Sequence, residues 1–276
     1  MRSPPTVTPL APADNPQVGD LLREWRRLRG RSQLDLALDT GVSARHLSFV
    51  ETGRSQPSRR LLLALADQLD VPLRERNALL LAAGYAPAYT ETGLDSAQSR
   101  AISDALERLL AGHEPYPALV LDRCGDVVRT NNAIAPLLVD VDAALLAQPI
   151  NVYRLSLRPD GLAPRIRNRD DWTAHLGHRL TRLARLTGDP KLADLLAEIR
   201  RYPGVAAALD RPYEASSREL LLTLKLAHPA GELHLHSTVT SFGSPNDVTV
   251  AELAVESFFP ADQQTRQILH RLTPTG

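Results

Sequence analysis

Residues 41–58, GVSARHLSFVETGRSQPS, decide the reading of the N-terminal third of the chain. Counting Gln33 as the first position of a two-helix unit makes Ala37 the fifth, Gly41 the ninth, Val42 the tenth, Leu47 the fifteenth and Val50 the eighteenth. Two helices that cross closely need a small fifth residue, a tight turn at the ninth and apolar anchors beneath the second helix. All five positions comply, so the stretch predicts a helix-turn-helix. Its second helix would turn Ser43, Ala44, Arg45, Ser48 and Phe49 outward, with His46 on the flank. Arg45 suits a bidentate pair with guanine, and Phe49 or Ala44 suits contact with a thymine methyl.

Phosphate contacts are expected on either side of that helix. Gln33 opens the preceding helix, where its amide and the free N–H groups face a phosphate, and Arg54, Ser55, Ser58 and Arg59 follow the reading helix. Working outward, apolar residues recur at helical spacing in five bursts, 18–29, 32–40, 43–52, 58–69 and 73–83. Ser32 and Asp35 form a capping-box pattern, Ser43 and Ser58 are good N-caps, Gly41 and Gly84 are helix stops, and Pro72 suits a first turn. The reading is an all-α, five-helix domain over 17–87, preceded by a disordered Pro-rich tail, 1–16.

Charge distribution agrees with that reading. The chain of 276 residues has 32 basic and 32 acidic residues, which argues against a general polyanion binder. Between residues 20 and 60, however, nine arginines stand against five acids, a local DNA footprint. Such a length suits two domains of roughly 100 to 150 residues. Cys124 is the single cysteine, which excludes an internal disulfide. No apolar run approaches the ~18 residues needed to cross a bilayer, and the N-terminus lacks the core of a signal peptide. These features fit a cytoplasmic protein with no membrane partner.

After a linker and connecting helix (88–112), the pattern becomes mixed. PALVLD and VVRTN read as strands joined by a hairpin turn, followed by amphipathic helices over 171–187 and 191–201. The first of these is expected to bury Trp172, Leu176, Leu180, Leu183 and Leu186. Strands return at 220–228, 232–242 and 248–259, and a last helix runs over 261–272. Strands, a helical middle and more antiparallel strands make an α+β, PAS-like domain over 113–272, with about five strands and helices packed on one face.

Residues 18–87 resemble an XRE-type helix-turn-helix domain, and 42–87, VSARHLSFVETGRSQPSRRLLLALADQLDVPLRERNALLLAAGYAP, resemble the MmyB-like regulators in particular. PALVLDRCGDVVRTNNA, INVYRLSLRPDGLAPRI, DDWTAHL and FGSPNDVTVAELAVESFFPAD are similar to segments of that family's ligand-binding domain. The resemblance implies a PAS-like sensory domain, a homodimer and a fatty-acid-like ligand. Double-stranded DNA, as an inverted-repeat operator, and a small-molecule effector are then the expected partners.

A pocket for an amphiphile needs an apolar tube and one polar clamp. Arg154 and His236 are the candidate clamps, with Phe242 on the same strand face as His236. His234 and His236, with His175 and His178, offer an alternative reading as a metal sensor. A partner-binding, antitoxin-like protein is the other alternative. Neither a metal site nor a required cofactor is expected, and no phosphate loop, GxSxG elbow or HExxH is present, so the chain reads as a non-enzyme.

Overall fold

The structure is a computed structural model that describes residues 17–94, 96–210, 222–243 and 245–273. The expected tail, the first two residues of the 220–228 strand and Ser244 lie outside the described residues. The chain forms two compact units, Met1–Thr90 and Glu91–Gly276.

In the first unit the helices are α1 (Val18–Leu28), α2 (Gln33–Thr40), α3 (Ala44–Glu51), α4 (Arg59–Gln68) and α5 (Leu73–Ala82). Local chemistry sets their ends. The hydroxyls of Ser32, Ser43 and Ser58 accept from the backbone N–H of Asp35, His46 and Leu61 at 3.1, 3.1 and 3.2 Å. Gly41 takes φ +69°, the left-handed conformation that ends α2 and starts the turn. Leu22, Trp25, Leu36, Ala37, Leu47, Val50, Leu62, Leu65 and Leu80 make one buried core. Gly19 lets α1 close on the end of α3: a Cβ there would stand 2.5 Å from the Val50 carbonyl oxygen.

The second unit opens with α6 (Arg100–Gly112), then β1 (Ala118–Leu121), β2 (Val127–Thr130), α7 (Val152–Leu157), α8 (Arg169–Thr187), α9 (Pro190–Ile199) and α10 (Val205–Leu209). It continues with β3 (Thr223–Leu226), β4 (Leu233–Ser241), α11 (Val248–Ala251), β5 (Ala254–Pro260) and α12 (Gln263–Leu272). The five strands form one antiparallel sheet in the order β2-β1-β5-β4-β3.

Three expectations need correction. Helices cover both faces of the sheet, since Leu106 and Leu110 of α6 pack on Val120 and Val255, while α8 and α9 pack on the face of Leu224, Leu233 and Leu235. The helix read as a connection therefore belongs to the core of the second unit. The strand expected over 248–259 is split: Asp247 caps Val250 N–H, and Val248 and Val250 are buried from a short helix before β5 begins. Their β-branched side chains favoured a strand, but the cap and burial override that weak preference. Leu186, placed by periodicity on the buried side of α8, is 39% exposed.

The outer edge of β3 is closed by an asparagine. Asn168 donates from Nδ2 to the Thr223 carbonyl at 2.7 Å and accepts from Lys225 N–H at 3.0 Å, so its amide copies a neighbouring strand. Arg167 N–H and Ala227 N–H extend the same pairing. Asn168→Ala leaves those edge groups unpaired and is expected to cost about 1–3 kcal/mol. Chemical denaturation reads the loss, and faster amide exchange at Lys225 localises it; an unchanged Lys225 rate would refute the edge role.

Candidate functional site

The buried carboxylate of Glu51 organises the helix-turn-helix. It sits at the last turn of α3 and is 1% exposed. Arg26 of α1 grips it with two hydrogen bonds of 2.6 and 2.9 Å, and Gln33 of α2 donates to it at 2.8 Å. Arg23 reaches both its carboxylate, at 3.8 Å, and its backbone carbonyl. Burial by itself pushes the Glu51 carboxyl up, but the hydrogen bonds from Arg26 and Gln33 and the charges of Arg26 and Arg23 bring it below the ordinary glutamate value. Three helices are thus tied to one side chain.

This network divides the arginines into two groups. Arg23 and Arg26 are spent on Glu51, Arg29 on the carbonyls of Leu69 and Asp70, and Arg31 on Asp39. Arg45, Arg54, Arg59 and Arg60 remain exposed, from the outward side of α3 to the start of α4. The Arg45 and Arg54 guanidinium carbons lie 5.3 and 5.9 Å from the Phe49 ring centre. Phe49 therefore serves as a shared platform that restrains both arginines, besides any methyl it can reach.

The other expected DNA residues fall on the same surface with specific duties. Ser43 and Ser58 use their oxygens as N-caps, leaving each hydroxyl proton free to turn outward. Ala44 packs partly on the core, and Ser48 and Ser55 are half-exposed nearby. Gln33 donates inward to Glu51, so its amide nitrogen is already engaged.

The residues chosen for ligand contact do not converge. Arg154 on α7 is held by both oxygens of Glu198, at 2.9 and 2.7 Å. That pair holds the Glu198 carboxyl down to about 2, Arg154 hydrogen bonding being the main cause. His236 pairs with Phe259 and bonds to Thr223 on the sheet face opposite Leu235, and Phe242 joins the α6 side of the sheet. His234 is flanked by Glu232 and Asp262, each at 2.8 Å. His175 and His178 lie on α8, so the four histidines form no common site. Among the described residues no group of three or more His, Cys, Asp or Glu is placed to hold a metal ion. Cys124 is half-buried, and burial, reinforced by Asp122, pushes its thiol up to about 11.

Polar groups on the core-facing stripe of α8 stand out instead. Trp172, His175, Leu176 and Arg179 fall on one side of that helix, and Arg179 Nη1 reaches Glu256 Oε2 on β5 at 3.0 Å. Glu256 shares a face with Phe258 and Leu235, the face packed under α8 and α9. The stripe was half legible: the apolar members give the period, and Arg179 and His175 fall in phase with it.

Comparison with known proteins now places the chain. Residues 102–272, more than half of it, match the MmyB-like transcription regulator ligand binding domain. The chain belongs to the MmyB-like transcription regulators. Residues 22–76 match the helix-turn-helix family, so this member of the family pairs a DNA-binding domain with a ligand-binding domain. Two proteins named transcriptional regulator ClgR, from two Mycobacterium tuberculosis strains (CDC 1551 / Oshkosh and ATCC 25618 / H37Rv), are each 41% identical over 56 residues. The match covers 20% of this chain and 50% of theirs, so the chain spans about half the length of the curated relatives it matches. A solved structure of an RNA-binding light-oxygen-voltage receptor is 11% identical, with 92% of this chain and 62% of that chain covered, at a TM-score of 0.25. A likeness of that size carries no weight for the fold. No described helix is long and apolar enough to cross a membrane.

Removing the Glu51 carboxylate leaves the half-buried Arg26 and Gln33 without their shared acceptor. Glu51→Ala is expected to destabilise the N-terminal unit by about 3–5 kcal/mol. Because the folded carboxyl lies below its ordinary value near 4.5, its stabilisation is full above that pH and fades as pH falls through the folded value. Denaturation across pH should therefore show the wild type and Glu51→Ala converging in acid; a constant gap at every pH would refute the assignment.

Proposed function

We propose that this MmyB-like regulator reads a specific operator through α3 and changes its DNA affinity when its C-terminal domain takes up a small apolar or amphiphilic, fatty-acid-like molecule. The observation that carries the DNA half is the Arg45–Phe49–Arg54 arrangement on the outward side of α3, backed by the Glu51 network. Arg45 is the base reader, with Ser43, Ala44, Ser48 and Phe49 as its neighbours at the groove floor. Arg54, Arg59, Ser55 and Ser58 bind phosphates, and Gln33 presents the N-terminal turn of α2 to the backbone.

Two copies on an inverted repeat would place their reading helices about one helical turn, roughly 34 Å, apart. The protein acts in the cytoplasm, without a cofactor and without catalysis, as a DNA-bound sensor. The ligand half is supported by the family match. The ligand-domain match, over a partner-docking family, favours this reading over the antitoxin-like one.

Arg45→Ala should narrow the gap between operator and random DNA by about 1–3 kcal/mol, since one base pair loses its reader. Arg59→Ala should weaken both DNAs alike and flatten the salt slope by about one. Fluorescence anisotropy over a salt series separates the two effects. Equal losses on both DNAs for Arg45→Ala would remove Arg45 from the reading surface.

A further inference from the structure

The loop that follows the reading helix is held at its ends by the helices it joins. The Phe49 carbonyl of α3 accepts from the N–H groups of Arg54 and Ser55 at 2.8 and 3.1 Å, and the Ser58 hydroxyl caps α4. Its middle is held from elsewhere. Gln56 Nε2 donates to the Ala83 carbonyl at 2.8 Å, and the Tyr85 hydroxyl donates to the Pro57 carbonyl at 3.0 Å. Among the described residues Gln56 and Pro57 make no other hydrogen bond. Both partners lie just past α5, where Gly84 takes φ +78° and the N–H groups of Gly84 and Tyr85 return to the carbonyls of Leu81 and Leu80. That left-handed turn brings the Tyr85 ring against the core of the first unit. Asn77 of α5 then fastens the chain again, accepting from the N–H groups of Ala88 and Tyr89 at 3.0 and 3.1 Å and donating to the Tyr89 carbonyl at 2.8 Å. The segment 83–89 is thus tied to α5 along its length and to the loop near its start.

We propose that Tyr85 and Gln56 are positioning residues for DNA binding, which act by holding the 54–58 loop in the shape that brings Arg54, Ser55 and Ser58 to the phosphates. A loop fastened only at its ends samples many shapes, and DNA binding must then order it. Two hydrogen bonds from the end of a packed helix supply that order before DNA arrives. Pro57 assists them, because its ring is buried and fixes the backbone next to the bonded carbonyl. In Tyr85 the two duties are separable: the ring packs on the core, and the hydroxyl fastens the loop.

This inference rests on the reading of Arg54, Ser55 and Ser58 as phosphate contacts. Its test is fluorescence anisotropy of the full chain on a random-sequence duplex, where phosphate contacts supply the affinity. Tyr85→Phe keeps the ring and removes the fastening, and Gln56→Ala removes the other tie. Each should weaken binding about threefold to tenfold, the net worth of one hydrogen bond. Measurements are made at a temperature where thermal unfolding shows every variant fully folded, so that lost stability is not read as lost affinity. The readout that packing alone would not move is the coupling to Arg54. Adding Tyr85→Phe to Arg54→Ala should weaken binding by a smaller factor than Tyr85→Phe does in the wild type, because the side chain that the loop positions is already gone. An equal factor in both backgrounds, or unchanged affinity in Tyr85→Phe, would overturn the positioning role. Unchanged affinity in Arg54→Ala would instead bring down the phosphate reading, and this inference with it.

Discussion

A single buried carboxylate carries the architecture of the DNA-binding unit. Glu51 lies at the end of the reading helix, yet its hydrogen bonds go to α1 and α2. The pitch of α3 against the rest of the domain is therefore fixed at its far end by directional contacts and at its near end by the Gly41 turn, while Leu47 and Val50 anchor its inward side. Apolar packing alone tolerates small rotations because it is not directional. A bidentate Arg26 clamp is directional, and the close approach at Gly19 leaves α1 little room to slide. Base readout needs side chains placed to within a fraction of a hydrogen-bond length, so this rigidity is a condition of the function. The same pair is costly to bury, and its value lies in orientation more than in net stability.

The ligand-binding unit shows a related use of polar groups with the opposite outcome. On the α6 side of the sheet, Leu106, Leu110, Val120 and Val255 pack together, with Arg129 of β2 reaching Ser103 of α6. The other side mixes leucines with Arg179, Glu256, His175 and Trp172. Glu51 is surrounded by three partners, whereas Trp172 has none, although both are buried.

Much of this was legible in the chain, and the boundary is physical. Helices α1 to α5 follow from signals a few residues long: Ser caps, a Gly stop and apolar spacing. The strands around the 122–126 turn follow from short β-rich runs on either side of a turn, and β4 from alternation. Glu51 was missed because its partners are 18 to 28 residues away. Its position was still informative, since Leu47, Val50 and Glu51 share the inward side of α3. Arg154 was chosen as a clamp because nothing in the sequence shows Glu198, 44 residues on, occupying it. His236 was chosen from strand alternation, which gives two faces but does not say which one α8 covers. Polar residues in phase with an apolar stripe, such as Arg179, are the better guide to a buried ion pair.

The spending of charge also bears on how such a regulator can be controlled. With no net charge on the chain and four of the nine arginines in 20–60 committed internally, general attraction to DNA is small. Each helix-turn-helix then offers only a few exposed cations, so on the proposed inverted repeat one half-site would be a weak target. In an assembly of two copies the second contact is gained at the effective concentration set by the first, and this gain depends on whether the reading helices match the half-site spacing. A ligand that alters that spacing acts on the larger part of the affinity without touching any base contact. By linkage, operator DNA must alter ligand affinity by the same factor. On the proposed reading, a weak half-site would heighten sensitivity to an effector, and a more basic surface would bind DNA more tightly while making the ligand less decisive.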